Sequence, residues 1–220
     1  MKGGPPLIVT RPEPGNAATI QRARAMGFPA HAMPLFAARP VGWRAPAAQD
    51  FDALLLTSAF AAREAGPEIA RLATLPVYAV GDATARAAEA AGLTVAMTGT
   101  ADAQPLLDAM VSQDIRAILW LCGRDRSAFD ACGAAITPLP CYALDPVAPP
   151  AEWAALIAAP AVLLAHSARE ALPDADSAWS VMRDSRCSSS ATRAATLRGA
   201  ARQQRIGGAG WRPYHLGSGR

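Results

Sequence analysis

The chain has 220 residues, 51% of them apolar and 18% charged, enough for one large domain or two small ones with buried cores. No apolar run approaches the roughly 20 residues that cross a bilayer, and Lys2 leads into Gly3-Gly4-Pro5-Pro6 rather than into the apolar stretch of an export signal, so a soluble cytoplasmic protein is expected. The formal charge of +3 conceals a split, with eight Arg against the single acid Asp184 from Arg183 to Arg220, and 13 basic against 17 acidic groups before it; a mildly acidic body is not the basic face that binds nucleic acid.

In chain order, a first strand is expected at Leu7–Thr10, then a helix from about Asn16 to Met26 with Asn16 as N-cap and Gly27 closing it. His31–Phe36 reads as a second extended run, and residues 37–49, with Pro40, Gly42 and Pro46, as a linker. Phe51–Thr57 is a buried strand, because its centre is a continuous Leu run rather than an alternation. Ser58 caps the helix that follows, and Gly66-Pro67 breaks it. Ile69–Thr74 is a short helix or turn, Leu75–Val80 a strand, and Thr84–Ala91 a helix stopped by Gly92. Thr94–Met97 is a short strand, Ala103–Val111 a helix and Ile115–Leu121 a strand. A helix is expected to start at Ser127–Cys132, and Ile136–Leu144 extends toward a second linker at Asp145–Pro150. Glu152–Ile157 is a helix and Ala161–Ala165 the last strand.

Strand–helix alternation implies an α/β fold with parallel sheets. The two linkers divide it into two lobes, residues 1–36 with 149–220, and an inserted lobe 37–148. Leu54–Ala59 resembles Val162–Ala168 with one residue slipped, as duplication or shared Ala/Leu composition would give. Five of the strands run into turns built of small, hydroxyl or Arg residues. Parallel α/β sheets bind ligands outside the carboxyl ends of their strands, where helix N-termini favour anions. The turns therefore read as a cradle for an anionic ligand.

No nucleophile–base pair stands out. Ser58 and Ser167 are outside any G-x-S-x-G elbow, and a Ser between strand and helix is a helix cap more often than a catalytic group. His166 and Ser167 are sequence neighbours whose side chains diverge on a strand end. Gly81-Asp82-Ala83-Thr84 lacks the dinucleotide fingerprint, and no phosphate-binding GxxxxGK[ST] exists. Cys122, Cys132, Cys141 and Cys187 form no CxxC and do not group with the three histidines, which argues against zinc and for free thiols. Arg11 and Arg124 follow buried strands, where a guanidinium suits a carboxylate or phosphate, or a local acid such as Glu13 or Asp125. Tyr142, just before the second linker, is either a packed ring at a lobe boundary or a donor to a ligand.

The segments LIVTRPEPGNA, FDALLLTSAFAARE, LPVYAVGDATARAAEAAGL, LWLCGRDR, PLPCYALDP and VLLAHSARE, in this order, resemble the uroporphyrinogen-III synthase family over about residues 6–170. The resemblance implies two α/β lobes joined by two extended linkers, with the active site in the cleft between them. It implies closure of linear hydroxymethylbilane to uroporphyrinogen III, with inversion of the last pyrrole ring and loss of water. It implies a monomer with no metal, no organic cofactor and no nucleic-acid or membrane partner. By motif position Tyr142 assists departure of the hydroxyl. Thr10, Arg11, Ser58, Ala59, Gly81, Thr84, Gly123, Arg124 and Ser167 bind or line the substrate. Phe60 departs from the family pattern, in which Asn often stands two residues after the Ser.

After about residue 172 the family pattern calls for another helix, an Ile/Ala-rich strand and a Thr-bearing turn. The chain instead reads Arg186-Cys187-Ser188-Ser189-Ser190-Ala191-Thr192-Arg193. A one-base shift in a GC-rich gene yields such composition, and so does a divergent basic tail. With an altered end, the other readings are a non-catalytic two-lobe anion-binding protein of the same fold and a nucleic-acid-binding regulator acting through the basic tail, whose binding would fall steeply with salt.

Overall fold

The computed structural model describes residues 5–100, 102–126, 129–148, 150–152, 155–156 and 161–164. Ser167, His166, Cys187 and the Arg-rich segment lie outside them, as does part of the helix expected at residues 152–157. The chain divides into two compact units, one taking the chain through Ala37 and again from Pro146, the other Ala38–Asp145.

In the first unit, β1 (Leu7–Val9) lies between β2 (Ala30–Ala32) and β9 (Val162–Leu164), parallel to both. Helix α1 (Gly15–Ala25) connects β1 to β2 and presents Ile20 and Ala23 to Leu7, Val9, Ala30 and Val162. Asn16 is not the N-cap: Pro14 holds that position, and Asn16 is buried in the first turn. Its Nδ2 donates backward to the carbonyls of Val9 (2.8 Å) and Arg11 (2.9 Å). The turn after β1 leaves those two carbonyls inside, and a buried acceptor must be met.

The second unit is built on the strands β3 (Phe36–Pro40), β4 (Ala53–Leu56), β5 (Val77–Val80), β6 (Val95–Gly99), β7 (Ala117–Gly123) and β8 (Ala135–Pro146). They form one six-stranded sheet in the order β3-β8-β7-β4-β5-β6. Ladders β4–β5, β4–β7, β5–β6 and β7–β8 are parallel. Helices α2 (Ala59–Glu64), α3 (Asp82–Ala90) and α4 (Ala103–Ser112) fill the crossovers, with a 3-10 helix at Gly66–Leu72. The Leu54–Leu56 run is fully buried because successive residues enter different cores. Leu54 and Leu56 pack with Leu119, Leu121 and the Ala-rich faces of α2 and α3. Leu55 packs on the other side with Ile118, Trp120, Leu107 and Met110 of α4. Each such Leu is worth about 1.5–3 kcal/mol of burial.

Two expectations fail in this unit. No helix forms at Ser127–Cys132 among the described residues. Instead Phe129 lies on Trp120, ring centroids 4.5 Å apart, and Cys132 and Gly133 turn back at φ 51° and 83° into β8. Nor is the segment after Phe36 wholly a linker, since residues through Pro40 form β3 and β8 runs on through Pro146. The prolines fit because of where hydrogen bonds are needed. Pro40 is on the edge strand. The β3 segment bonds to β8 at Cys141, whose carbonyl accepts from Val41 N (2.9 Å), and Pro138 and Pro140 sit before that pairing.

Candidate functional site

In the six-stranded sheet the chain runs from β4 outward to β5 and β6, then returns to β7 on the other side of β4. The strand order reverses between β4 and β7, the place where open α/β sheets hold ligands. At the carboxyl end of β4 stand Thr57, Ser58 and Ala59; at that of β7, Gly123 and Arg124; at that of β5, Gly81. Seven of the ten expected site residues, Ser58, Ala59, Gly81, Thr84, Gly123, Arg124 and Tyr142, thus belong to one unit. Thr10 and Arg11 belong to the other, and Ser167 lies outside the described residues.

Ser58 has extended backbone (φ −150°, ψ 140°), and its Oγ accepts from Phe60 N at 3.2 Å, capping α2. Its hydroxyl also interacts with the Tyr142 phenol. Gly81 reaches φ 84°, a conformation glycine adopts freely, and its carbonyl accepts from the amides of Thr84 (3.0 Å) and Ala85 (3.1 Å) to start α3. Thr84 is buried in that first turn.

Tyr142 is 8% exposed, on β8 beside the end of β7. Phe60 packs on it, ring centroids 5.8 Å apart at 40°. Burial pushes the phenol's pKa above its usual value, and the Ser58 hydroxyl partly offsets this. Neighbouring Cys141 is buried and its thiol is pushed up to about 12, mainly by desolvation; Cys122 moves the same way for the same reason. Neither thiol is a nucleophile in that state.

Arg124 is exposed and engaged by acids: Nη2 is 3.3 Å from Asp145 Oδ1 and 3.5 Å from Asp125 Oδ2. Asp145 also takes the Arg39 guanidinium, and Arg39 is the main cause holding its carboxyl below the usual range. Arg126 lies 5.9 Å from the centroid of the Trp120 ring, whose Nε1 donates to Thr57 Oγ1 at 3.0 Å. Sequence reasoning missed Arg39 and Asp145, although an acid three residues after Tyr142 in an otherwise apolar strand was a signal that a cation lay near.

In the other unit Thr10 is fully buried, and its hydroxyl donates to the Leu164 carbonyl at 2.9 Å. The half-buried Arg11 lies against Gly15 at the start of α1. Among the described residues no three His, Cys, Asp or Glu side chains gather as a metal site, and no helix is long and apolar enough to cross a membrane.

The family model for uroporphyrinogen-III synthase HemD matches residues 17–169. The chain belongs to the uroporphyrinogen-III synthase family. No curated relative matches it. Among solved structures it is similar to a mutant uroporphyrinogen III synthase from the extremely thermophilic bacterium Thermus thermophilus, at 20% identity and TM-score 0.44, over 66% of this chain and 64% of that one. The wild-type Thermus enzyme gives 20% identity and TM-score 0.36 over 66% and 63%. A uroporphyrinogen-III synthetase from Helicobacter pylori gives 16% identity and TM-score 0.49 over 76% of each chain. The chain thus spans just under two thirds of the Thermus enzymes' length. The match begins within α1 and takes in every described strand from β2 to β9.

Proposed function

We propose that this protein is a uroporphyrinogen-III synthase, a cytoplasmic, monomeric hydro-lyase that closes hydroxymethylbilane to uroporphyrinogen III with inversion of ring D and loss of water. In this reading it needs no metal or organic cofactor. The observation that carries the proposal is Tyr142: a buried phenol on β8 that lies against Gly123 at the end of β7 and beside the Ser58 hydroxyl at the end of β4, the two strands between which the order reverses. A protonated phenol can donate its proton to the departing hydroxyl, which leaves as water while the pyrrole nitrogen supplies the electrons. The azafulvene that forms is attacked by the substituted carbon of the last ring. The spiro intermediate then fragments and recloses with the ring turned over, and the proton released from that ring's unsubstituted α-carbon on reclosure balances the one the phenol gave.

The substrate carries eight carboxylates. The cradle offers the amides at the start of α3, the Ser58 hydroxyl and the Arg39–Arg124 pair. In the other unit, Arg11 and Ser167 are proposed on motif position to meet further carboxylates, and Thr10, its buried hydroxyl given to the Leu164 carbonyl, to hold the end of β1. Linear hydroxymethylbilane also closes unaided, without inversion, so the enzyme's task is chiefly to impose geometry. That accounts for a site with one proton donor and no nucleophile–base pair.

The test is to feed hydroxymethylbilane to the full chain and separate isomers I and III. Isomer III is expected, and Tyr142→Phe should lower its rate of formation about a hundredfold, within the range of general acid catalysis. Isomer I alone at the unaided rate would overturn the assignment and leave a non-catalytic anion-binding protein.

A further inference from the structure

Tyr142 does not occupy the face that simple strand alternation would give it. Along β7, Ile118, Trp120 and Cys122 enter one core and Leu119 and Leu121 the other. On β8, Leu139 and Cys141 share the core of Leu119 and Leu121, so Tyr142 should point to the opposite side. It does not: Cys141 and Tyr142 lie in the same core, with Leu144 against it. The register explains how. Cys122 pairs with Pro140 and the next residue, Gly123, with Tyr142, leaving Cys141 as an extra residue on β8. This is a β-bulge, a device that re-aims a side chain at the end of a ladder. Arg124 N donates to the Tyr142 carbonyl at 2.8 Å and closes the pairing beyond it.

The re-aimed ring then lies directly on Gly123. A Cβ at position 123 would stand 2.9 Å from Tyr142 Cζ, 3.1 Å from its phenol oxygen and 3.2 Å from Cε2. Those atoms are the reactive end of the side chain, so any side chain at 123 displaces the phenol itself. Phe60 holds the ring from another side.

We propose that Gly123 and Phe60 are positioning residues for Tyr142: the bare Cα of Gly123 and the Phe60 ring are two walls of a slot that sets where the phenol oxygen stands. Gly123 thus acts through Tyr142 and not as a substrate contact, and Phe60 acts through its packing on the same ring. This rests on the reading of Tyr142 as the proton donor.

The experiment is a double-mutant cycle on the full chain, with isomer III formation as the activity and the ring NMR signal of 13C-labelled Tyr142 as a readout independent of turnover. Gly123→Ala should lower kcat at least tenfold with KM within twofold, and shift the Tyr142 ring signal while leaving that of Tyr78 in place. In a Tyr142→Phe background Gly123→Ala should cost nothing further, since residues acting through one group are not additive. Phe60→Leu, at a half-buried position that tolerates the change, should lower kcat severalfold in the parent and not in the Tyr142→Phe background. It keeps the slot testable if Gly123→Ala does not fold. Equal losses in both backgrounds, or full activity of both variants with an unmoved ring signal, would overturn the proposal. If Tyr142→Phe itself retains full turnover, it is the proton-donor reading that falls, and the ring signal alone decides the positioning.

Discussion

The Asn16 side chain closes the turn that follows β1, with both amide hydrogens given to backbone carbonyls. This fixes its orientation, because the reversed amide would set an oxygen against two other oxygens. Its Oδ1, also buried, has no hydrogen-bond partner among the described residues. Asn16→Asp therefore removes both donors and places a carboxylate oxygen against the Val9 and Arg11 carbonyls. A loss of about 3 kcal/mol or more is expected, read as a lower urea midpoint at neutral pH. Asn16→Ala, which leaves the carbonyls unmet without adding charge, should cost about 1–3 kcal/mol. Equal stability of the Asp variant and the parent would mean that the turn is not held this way.

At the scale of elements, Asp52 shows how the sheet's register is pinned below the site. It stands just before β4, and its Oδ2 accepts from the amides of Arg116 (2.9 Å) and Ala117 (2.8 Å) at the start of β7, while its own amide donates to the Ala117 carbonyl at 2.7 Å. The two backbone donors hold its carboxyl below the usual carboxylate range. A carboxyl whose folded pKa lies below its unfolded one stabilises the fold above the unfolded value, and that contribution disappears as pH falls through the folded value. Asp52→Asn keeps an acceptor but cannot titrate, so melting temperature should fall less steeply below about pH 4 than in the parent. Parallel acid limbs for the two proteins would discard this role for Asp52. None of this pairing was legible in the sequence, where Asp52 is one more acid in a turn. What could be read came from local chemistry: the continuous Leu run of β4, the Ser58 cap and the helix after Gly81. The bulge at Cys141 could not be read, because one extra residue in a ladder is a property of two strands together. Nor could the absence of a helix at Ser127–Cys132, where the pull of Phe129 onto Trp120 depends on a partner before the turn.

For the molecule as a whole, burial is graded across the six-stranded sheet, and this bears on which part opens first. The centre of the sheet has a core on each face, with Leu54, Leu55, Leu56, Leu119 and Leu121 all fully buried. At the edge, β6 is half-buried at most, and its Ala96 and Thr98 are exposed. Local opening costs least where few apolar groups are released. Native-state hydrogen exchange should therefore show the amides of β4 and β7 exchanging only through global unfolding, with those of β6 at least a hundredfold less protected. Fraying of β6 would leave the slot around Tyr142 intact, because β4 and β5 stand between β6 and the strands β7 and β8 that carry Gly123 and Tyr142. Uniform protection across the sheet would show instead that it opens only as a whole, and that the slot is lost with it.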